Sequence, residues 1–254
     1  MECFIVEPTD VHAQRKELLL RGDEAHHALK SIRLRAGDRL LATNLIGTCY
    51  ECRVELVEAD TLSCYIEKVL HGYGESRLHV TLVQGMIAQP GRWEFLLEKA
   101  TELGVKVIQP VITERTERSH FKLDRAERIL RAAVKQTKRA NKPWLRMATR
   151  DASKKGMSDE VSTLREALSE AVREKCEIVL LHESAPAETS LGSLAPHFGD
   201  KPIAIVIGPE GGFSGEEVDM ARNEFGANIA SLGARRLRAE TAAIAALAIA
   251  ITES

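Results

Sequence analysis

Residues 202–217 read Pro-Ile-Ala-Ile-Val-Ile-Gly-Pro-Glu-Gly-Gly-Phe-Ser-Gly-Glu-Glu, and this stretch decides the fold class. Ile203 to Ile207 is an unbroken apolar, mostly β-branched run without charge, the pattern of a strand buried on both faces. It stops at Gly208-Pro209, a turn signal, and a helix restarts at Ser214, where Ser214 and Glu217 form a capping box. That helix is expected to end near Gly226. The loop between carries three glycines in five residues, Gly208, Gly211 and Gly212. A glycine-rich strand-to-helix loop usually receives phosphate, yet this one holds Glu210, Glu216 and Glu217 and no Lys or Arg. Carboxylates repel phosphate, so the expected ligand is neutral or cationic.

Working outward, residues 228–232 read as another short strand. Gly233-Ala-Arg-Arg-Leu-Arg-Ala-Glu-Thr241 follows, and then a helix over 242–251 that is apolar almost all round. Such a helix belongs in a core or a subunit interface. Arg235, Arg236, Arg238 and Glu240 therefore fall between two buried elements, a poor place for solvated charge. Upstream, residues 177–181 form a buried strand ending at His182-Glu183. Three strand ends, at 182, 208 and 233, are expected to meet at one edge of a parallel sheet, where open α/β sheets bind ligands.

The rest of the chain is consistent with an α/β domain following a smaller β-rich one. Residues 78–86 and 105–112 read as strands, the second with Pro110 pointing to an edge or a strand end. A helix over 92–103 between them is closed by Gly104. A helix is expected from Leu123 to about Asn141, then a charged loop at 151–156 and an amphipathic helix over 162–175. Before the linker at 71–76, short alternating strands at 40–44, 48–56 and 61–69 are punctuated by Gly37-Asp38, Gly47 and Asp60. The expected division is 1–72 and 73–254.

Net charge is only −2, but residues 115–155 hold 14 Lys/Arg against 4 Asp/Glu. Segregation of this kind marks an anion-binding face. Within the 123–141 helix, Arg128, Arg131, Lys135, Lys138 and Arg139 fall within about a 100° arc, with few acids at i±4 to neutralise them. Trp144 beyond it either stacks on a base or packs. The expected RNA-contact set is these five cations together with His27, Arg33, Arg92 and Arg115. Cys49-x-x-Cys52 is not read as a metal site: on a strand the two point to opposite faces, and no second pair completes four ligands. Five irregularly spaced cysteines fit a reducing cytoplasm rather than a disulfide framework. No apolar run reaches the roughly 18 residues of a membrane span, and no signal peptide is read at the N-terminus.

Ile207-Gly-Pro-Glu-Gly-Gly-Phe-Ser214 and Leu232-Gly-Ala-Arg-Arg-Leu-Arg-Ala-Glu-Thr-Ala242 together resemble the RsmE family. These are SPOUT-class RNA methyltransferases that act on N3 of a uridine in 16S ribosomal RNA. The Lys99-Ala-Thr-Glu-Leu-Gly-Val run, Gln136 with Arg139, and the His26-His27-x-Leu … Arg … Gly37-Asp38 pattern resemble it too. Arg236 and Ala239 depart from the family, which tends to have an aliphatic residue and Thr there. The resemblance implies a trefoil-knotted, mostly parallel sheet with helices on both faces, a small N-terminal PUA-like β-barrel, and a homodimer. It also implies S-adenosylmethionine as cofactor and no metal. Carried onto this chain, the cofactor set is Leu181, His182, Glu183, Ile207, Gly208, Pro209, Glu210, Gly211, Gly212, Leu232, Gly233, Leu237, Arg238 and Thr241. The expected catalytic pair is Arg238, stabilising negative charge on the uracil, and Glu240, orienting Arg238 or accepting the proton. The alternatives are a SPOUT enzyme acting on another RNA such as tRNA, and an RNA-binding protein without activity. A dinucleotide oxidoreductase is disfavoured by the missing G-x-G-x-x-G.

Overall fold

The computed structural model describes residues 1–117, 122–148, 161–186 and 189–252; the expected charged loop at 151–156 lies outside them. The chain divides into two compact units, Met1–Glu75 with Arg131–Lys142, and Ser76–Leu130 with Pro143–Ser254.

In the first unit the strands are β1 (Cys3–Ile5), β2 (Val11–His12), β3 (Glu17–Arg21), β4 (Arg39–Thr43), β5 (Thr48–Val57) and β6 (Thr61–His71). After β3, helix α1 (Gly22–His26) runs on as a π-helical turn, His27–Ile32. The sheet order is β1-β4-β5-β6-β3-β2, antiparallel throughout except for β1 beside β4. Alternation in β6 buries Leu62, Cys64 and Ile66 against Phe4, Leu18, Leu40 and Val54, which is what its period-two pattern demands. Cys49 and Cys52 fall in separate apolar clusters, as opposite strand faces require. Burial pushes the Cys49 thiol up to about 11, which keeps it a packing group rather than a thiolate ligand.

The second unit contains β7 (Val80–Gly85), α2 (Pro90–Leu103), β8 (Val107–Ile112), the start of α3 (Leu123–Thr137), whose residues from Arg131 onward belong to the first unit, β9 (Trp144–Leu145), β10 (Ser162–Thr163) and α4 (Leu164–Arg173). There follow β11 (Glu177–Leu181), α5 (Leu191–Leu194), β12 (Ile203–Ile207), α6 (Gly215–Phe225), β13 (Asn228–Ala230) and α7 (Ala239–Thr252). Every strand pair is parallel, in the order β10-β8-β7-β12-β11-β13, with β9 also on β8. The charge-free run in β12 shows why helices cover both faces. Ile203, Ile205 and Ile207 pack with Leu96 and Leu97 of α2 and Leu247 of α7, whereas Ala204 and Val206 pack with Leu168 of α4 and Val218 of α6. Among the described residues no helix is long and apolar enough to cross a membrane.

Three local outcomes refine the sequence reading. Pro110 lies inside β8, but β9 covers only Val107 and Ile108 and β10 only Val111 and Ile112, so the proline meets a gap on that side. Helix α3 stops at Thr137 rather than near 141, because Lys138 takes a left-handed φ of 59°. Helix α7 begins at Ala239, three residues early, which puts Glu240 in its first turn.

Candidate functional site

Because β11, β12 and β13 are mutually parallel, their carboxyl ends open at the same edge of the sheet. The segments that follow them, 181–183, 207–213 and 231–239, line one cavity of about 620 Å³, with Arg92, Arg115 and Ala242 completing its wall. The expected meeting of the three strand ends is therefore found. The glycine loop is held from below by the buried Gln84 of β7, whose Nε2 donates to Gly208 O at 3.2 Å and to Gly85 O at 2.9 Å. Gly85 passes so close to the loop that a Cβ there would lie 2.7 Å from the Gly208 carbonyl carbon and nearer still to Pro209. From above, Arg115 lies across Gly211: its Nη1 donates to Gly211 O at 3.2 Å, and a Cβ on Gly211 would come within 3.0 Å of Arg115 Cβ.

The acids of this loop are less available than their count in the sequence implies. Glu217 accepts from Ser214 N and from Glu114 N, both at 2.9 Å, while Ser214 Oγ accepts from Glu217 N at 3.3 Å. This is the expected capping box, extended to fasten a neighbouring loop. Glu210 accepts from Ala88 N at 3.2 Å. The wall retains two carboxylates, Glu183 and Glu210, against five guanidiniums, Arg92, Arg115, Arg235, Arg236 and Arg238. The cavity therefore combines bare glycine-loop backbone with a wall in which cations outnumber carboxylates, and Glu183 lies 3.8 Å from Arg236. Glu217→Ala is expected to lower stability by about 1–2 kcal/mol, the worth of a cap plus a second hydrogen bond at the surface. Chemical denaturation reads that loss directly.

Of the expected cofactor set, every residue but Thr241 lines the cavity. Phe213, Ser231, Ala234, Arg235, Arg236, Ala239 and Ala242 line it as well. All but Ser231 lie within the two quoted motifs, and Ser231 adjoins the second, so contiguity with the assigned positions was the available signal. Arg238 is exposed on the wall. Glu240 is 7% exposed, and its carboxylate faces Arg92, with Oε1 3.6 Å from Arg92 Nε. Glu240, expected to orient Arg238 or accept the proton, faces Arg92 instead of Arg238: in the first turn of α7 the carboxylate turns toward α2.

The expected RNA-contact set divides between the two units. Arg92 and Arg115 are on the cavity wall, and Arg33 and Arg128 are exposed. His27 packs beside Phe4 with ring centroids 5.9 Å apart. Lys135 donates to both oxygens of Glu24 at 2.9 Å, and Arg131 lies 3.7 Å from Glu7. Lys138 lies beyond the helix and is half-buried. Arg139 is 1% exposed and forks onto Glu75, with Nη2 to Oε2 at 2.8 Å and Nε to Oε1 at 3.2 Å. A buried, doubly bonded guanidinium offers nothing to a phosphate, so Arg139 leaves the contact set. The acids facing Arg131 and Lys135 of α3 come from residues 7 and 24, and the acid facing Arg139 beyond it from residue 75.

The family model described as RNA methyltransferase domain matches residues 74–251. The chain belongs to this RNA methyltransferase family. A second model, the RNA methyltransferase PUA domain, matches residues 20–67 of this methyltransferase. Ribosomal RNA small subunit methyltransferase E of Bacillus subtilis is 25% identical over 97% of this chain and 94% of its own length. The protein of that name from Rickettsia conorii is 26% identical, covering 93% and 90%. A crystal structure of ribosomal RNA small subunit methyltransferase E from Neisseria gonorrhoeae, bound to S-adenosyl methionine, superposes with a TM-score of 0.79. It is 27% identical, over 98% of this chain and 95% of that one. The resemblance to the RsmE family read from the two glycine-bearing motifs is borne out by these relatives.

Proposed function

We propose that this methyltransferase uses S-adenosylmethionine to methylate N3 of one uridine in 16S ribosomal RNA during small-subunit maturation, in the cytoplasm. The observation that carries the reading is the convergence of 181–183, 207–213 and 231–239 on one cavity. The cavity fits such a cofactor in size, since cofactor-sized ligands occupy roughly 300–1,000 Å³. It also fits in chemistry: Gly208, Gly211 and Gly212 offer bare backbone, and Glu183 and Glu210 offer negative charge near a cationic sulfur. The three segments would grip the cofactor in the trefoil arrangement that the motifs imply. When bound, it supplies an electrophilic methyl on a sulfur that leaves as a neutral thioether.

The protein's own task is to make uracil N3 a nucleophile. That nitrogen carries a proton at neutral pH, and each unit by which a site favours the anion is worth about 1.4 kcal/mol. Arg238, exposed on the wall, stabilises the charge that spreads onto the uracil oxygens as the proton leaves. Residues 1–72 serve as the RNA-binding domain and 73–254 as the catalytic one. Because the base edge must be reached, the target uridine is unpaired or flipped. A second copy of the chain covers α7, whose Ile244 and Ala245 remain half-buried outside the core cluster. Light scattering is expected to return twice the chain mass.

The decisive experiment is transfer of labelled methyl from S-adenosylmethionine to unmodified small subunits, followed by nucleoside analysis. The expected product is 3-methyluridine at a single position. A label found on another base, or only on tRNA, overturns the substrate assignment. Arg238→Ala is expected to lose on the order of 100-fold in rate at saturating cofactor.

A further inference from the structure

Glu240 presents a buried oxygen that pairing with Arg92 leaves unexplained. Its Oε1 is 3.6 Å from Arg92 Nε, while Oε2 is buried with no hydrogen-bond partner. A native structure rarely leaves an ionisable oxygen in that condition without a use for it. Arg92 itself stands in the first turn of α2, after the chain leaves β7, and lines the same cavity as the glycine loop with its side chain 31% exposed. Its Nε faces the carboxylate; its Nη groups carry the remaining donors of the guanidinium fork. The contrast with Arg238 is one of preorganisation. Arg238 is exposed and makes no ion pair among the described residues, so aligning it costs side-chain entropy. Arg92 is anchored before any ligand arrives.

We infer that Arg92, held by Glu240, is a further catalytic residue, donating to a uracil carbonyl so that the negative charge on the ring is stabilised as N3 loses its proton. Glu240 is the positioning residue, acting only through Arg92. The inference rests on the methyl-transfer reading above. It assigns Glu240 a role other than proton acceptor, and the N3 proton departs to water. Fixed donors aimed at developing charge are worth most because nothing reorganises at the moment of reaction. His182, Glu183 and Glu210, with the guanidiniums of Arg115, Arg235, Arg236 and Arg238, are the other titratable and charged side chains on the wall. The variants below leave them in place.

The test uses full-length enzyme, S-adenosylmethionine and unmodified small subunits, with Arg92→Ala, Arg92→Lys and Glu240→Gln. Cofactor affinity by calorimetry is expected to stay within about 3-fold, while the single-turnover rate of Arg92→Ala falls on the order of 100-fold. The pH at which the rate levels off should rise by about one unit or more, because a base robbed of its cation ionises later. Lysine should recover part of the rate, keeping the charge but not the fork. Glu240→Gln should fall between wild type and Arg92→Ala, with the same direction of pH shift. A structural role alone would lower the rate equally at all pH values, and that result overturns the inference, as does a wild-type rate in either Arg92 variant. If Arg92→Ala fails to fold, Glu240→Gln and Arg92→Lys decide on the same readout. Wild-type enzyme that binds the cofactor but leaves uridine unmethylated sinks the methyl-transfer reading first, and this inference with it.

Discussion

Gly85→Ala is expected to abolish cofactor binding, by a factor of 100 or more on the order of what misplaced binding groups cost, and to remove about 3 kcal/mol of stability. The cause is backbone against backbone. β7 and β12 are paired with Gln84 opposite Ile207, so the next residue, Gly85, faces the start of the glycine loop. An added Cβ would overlap Pro209 N and Cδ and stand 2.7 Å from the Gly208 carbonyl carbon. None of these atoms can rotate aside as a side-chain end would. The Gly208–Pro209 turn must lift, and with it goes the hydrogen bond from Gln84 Nε2 that seats the loop. Gly91→Ala is the internal control. It lies in the first turn of α2, where a Cβ meets nothing within 4 Å, so it should be neutral or stabilising by about 0.5–1 kcal/mol. Isothermal calorimetry with S-adenosylmethionine and a thermal melt of both variants give the answer. Wild-type affinity in Gly85→Ala would mean that the loop is free to move and that the cavity is not built on close backbone contact.

The same contrast explains what could be read from the residues alone. The run Ile203 to Ile207 announced a strand covered on both faces, because any polar face would have shown as alternation. Ser214 with Glu217, and Gly226 at a φ of 66°, marked both ends of α6 through chemistry local to a few residues. The cavity was legible because parallel strands must end on the same side, so motifs at 182, 208 and 233 had to become neighbours. Charge pairing was not legible in this way. Glu240 was expected to orient Arg238, two residues away, or to accept the proton, but a helical first turn sends its side chain toward Arg92, far off in sequence. Gly85 carried no motif at all; its role lies in a contact with residue 209 that only pairing of β7 with β12 creates. Periodicity and caps act over one helical turn or a few strand residues, whereas ion pairs and close approaches are properties of the assembled fold.

Arg139→Ala is expected to cost the first unit about 3–5 kcal/mol, the loss typical of breaking a buried ion pair from one side. The side chains of Arg139 and Glu75 are 2% and 7% exposed, so the abandoned carboxylate has little access to water. Glu75 also accepts from Asn141 N at 2.9 Å, which ties the segment after α3 to the turn that follows β6, both within the first unit. Glu75→Ala should therefore cost at least as much, because it removes the carboxylate from both the Arg139 fork and the Asn141 N–H. The double variant Arg139→Met with Glu75→Leu should lose markedly less than the sum, since removing both charges also removes their desolvation cost. Arg139→Lys keeps the charge but cannot reproduce the fork onto both carboxylate oxygens, and should fall between wild type and Arg139→Ala. Amide exchange in β5 and β6 reports the stability of this unit directly. If Arg139 acted on RNA instead, Arg139→Ala would leave that exchange unchanged and weaken RNA binding with a shallower salt dependence. Protection lost at low salt and without RNA present is the outcome that the buried fork requires.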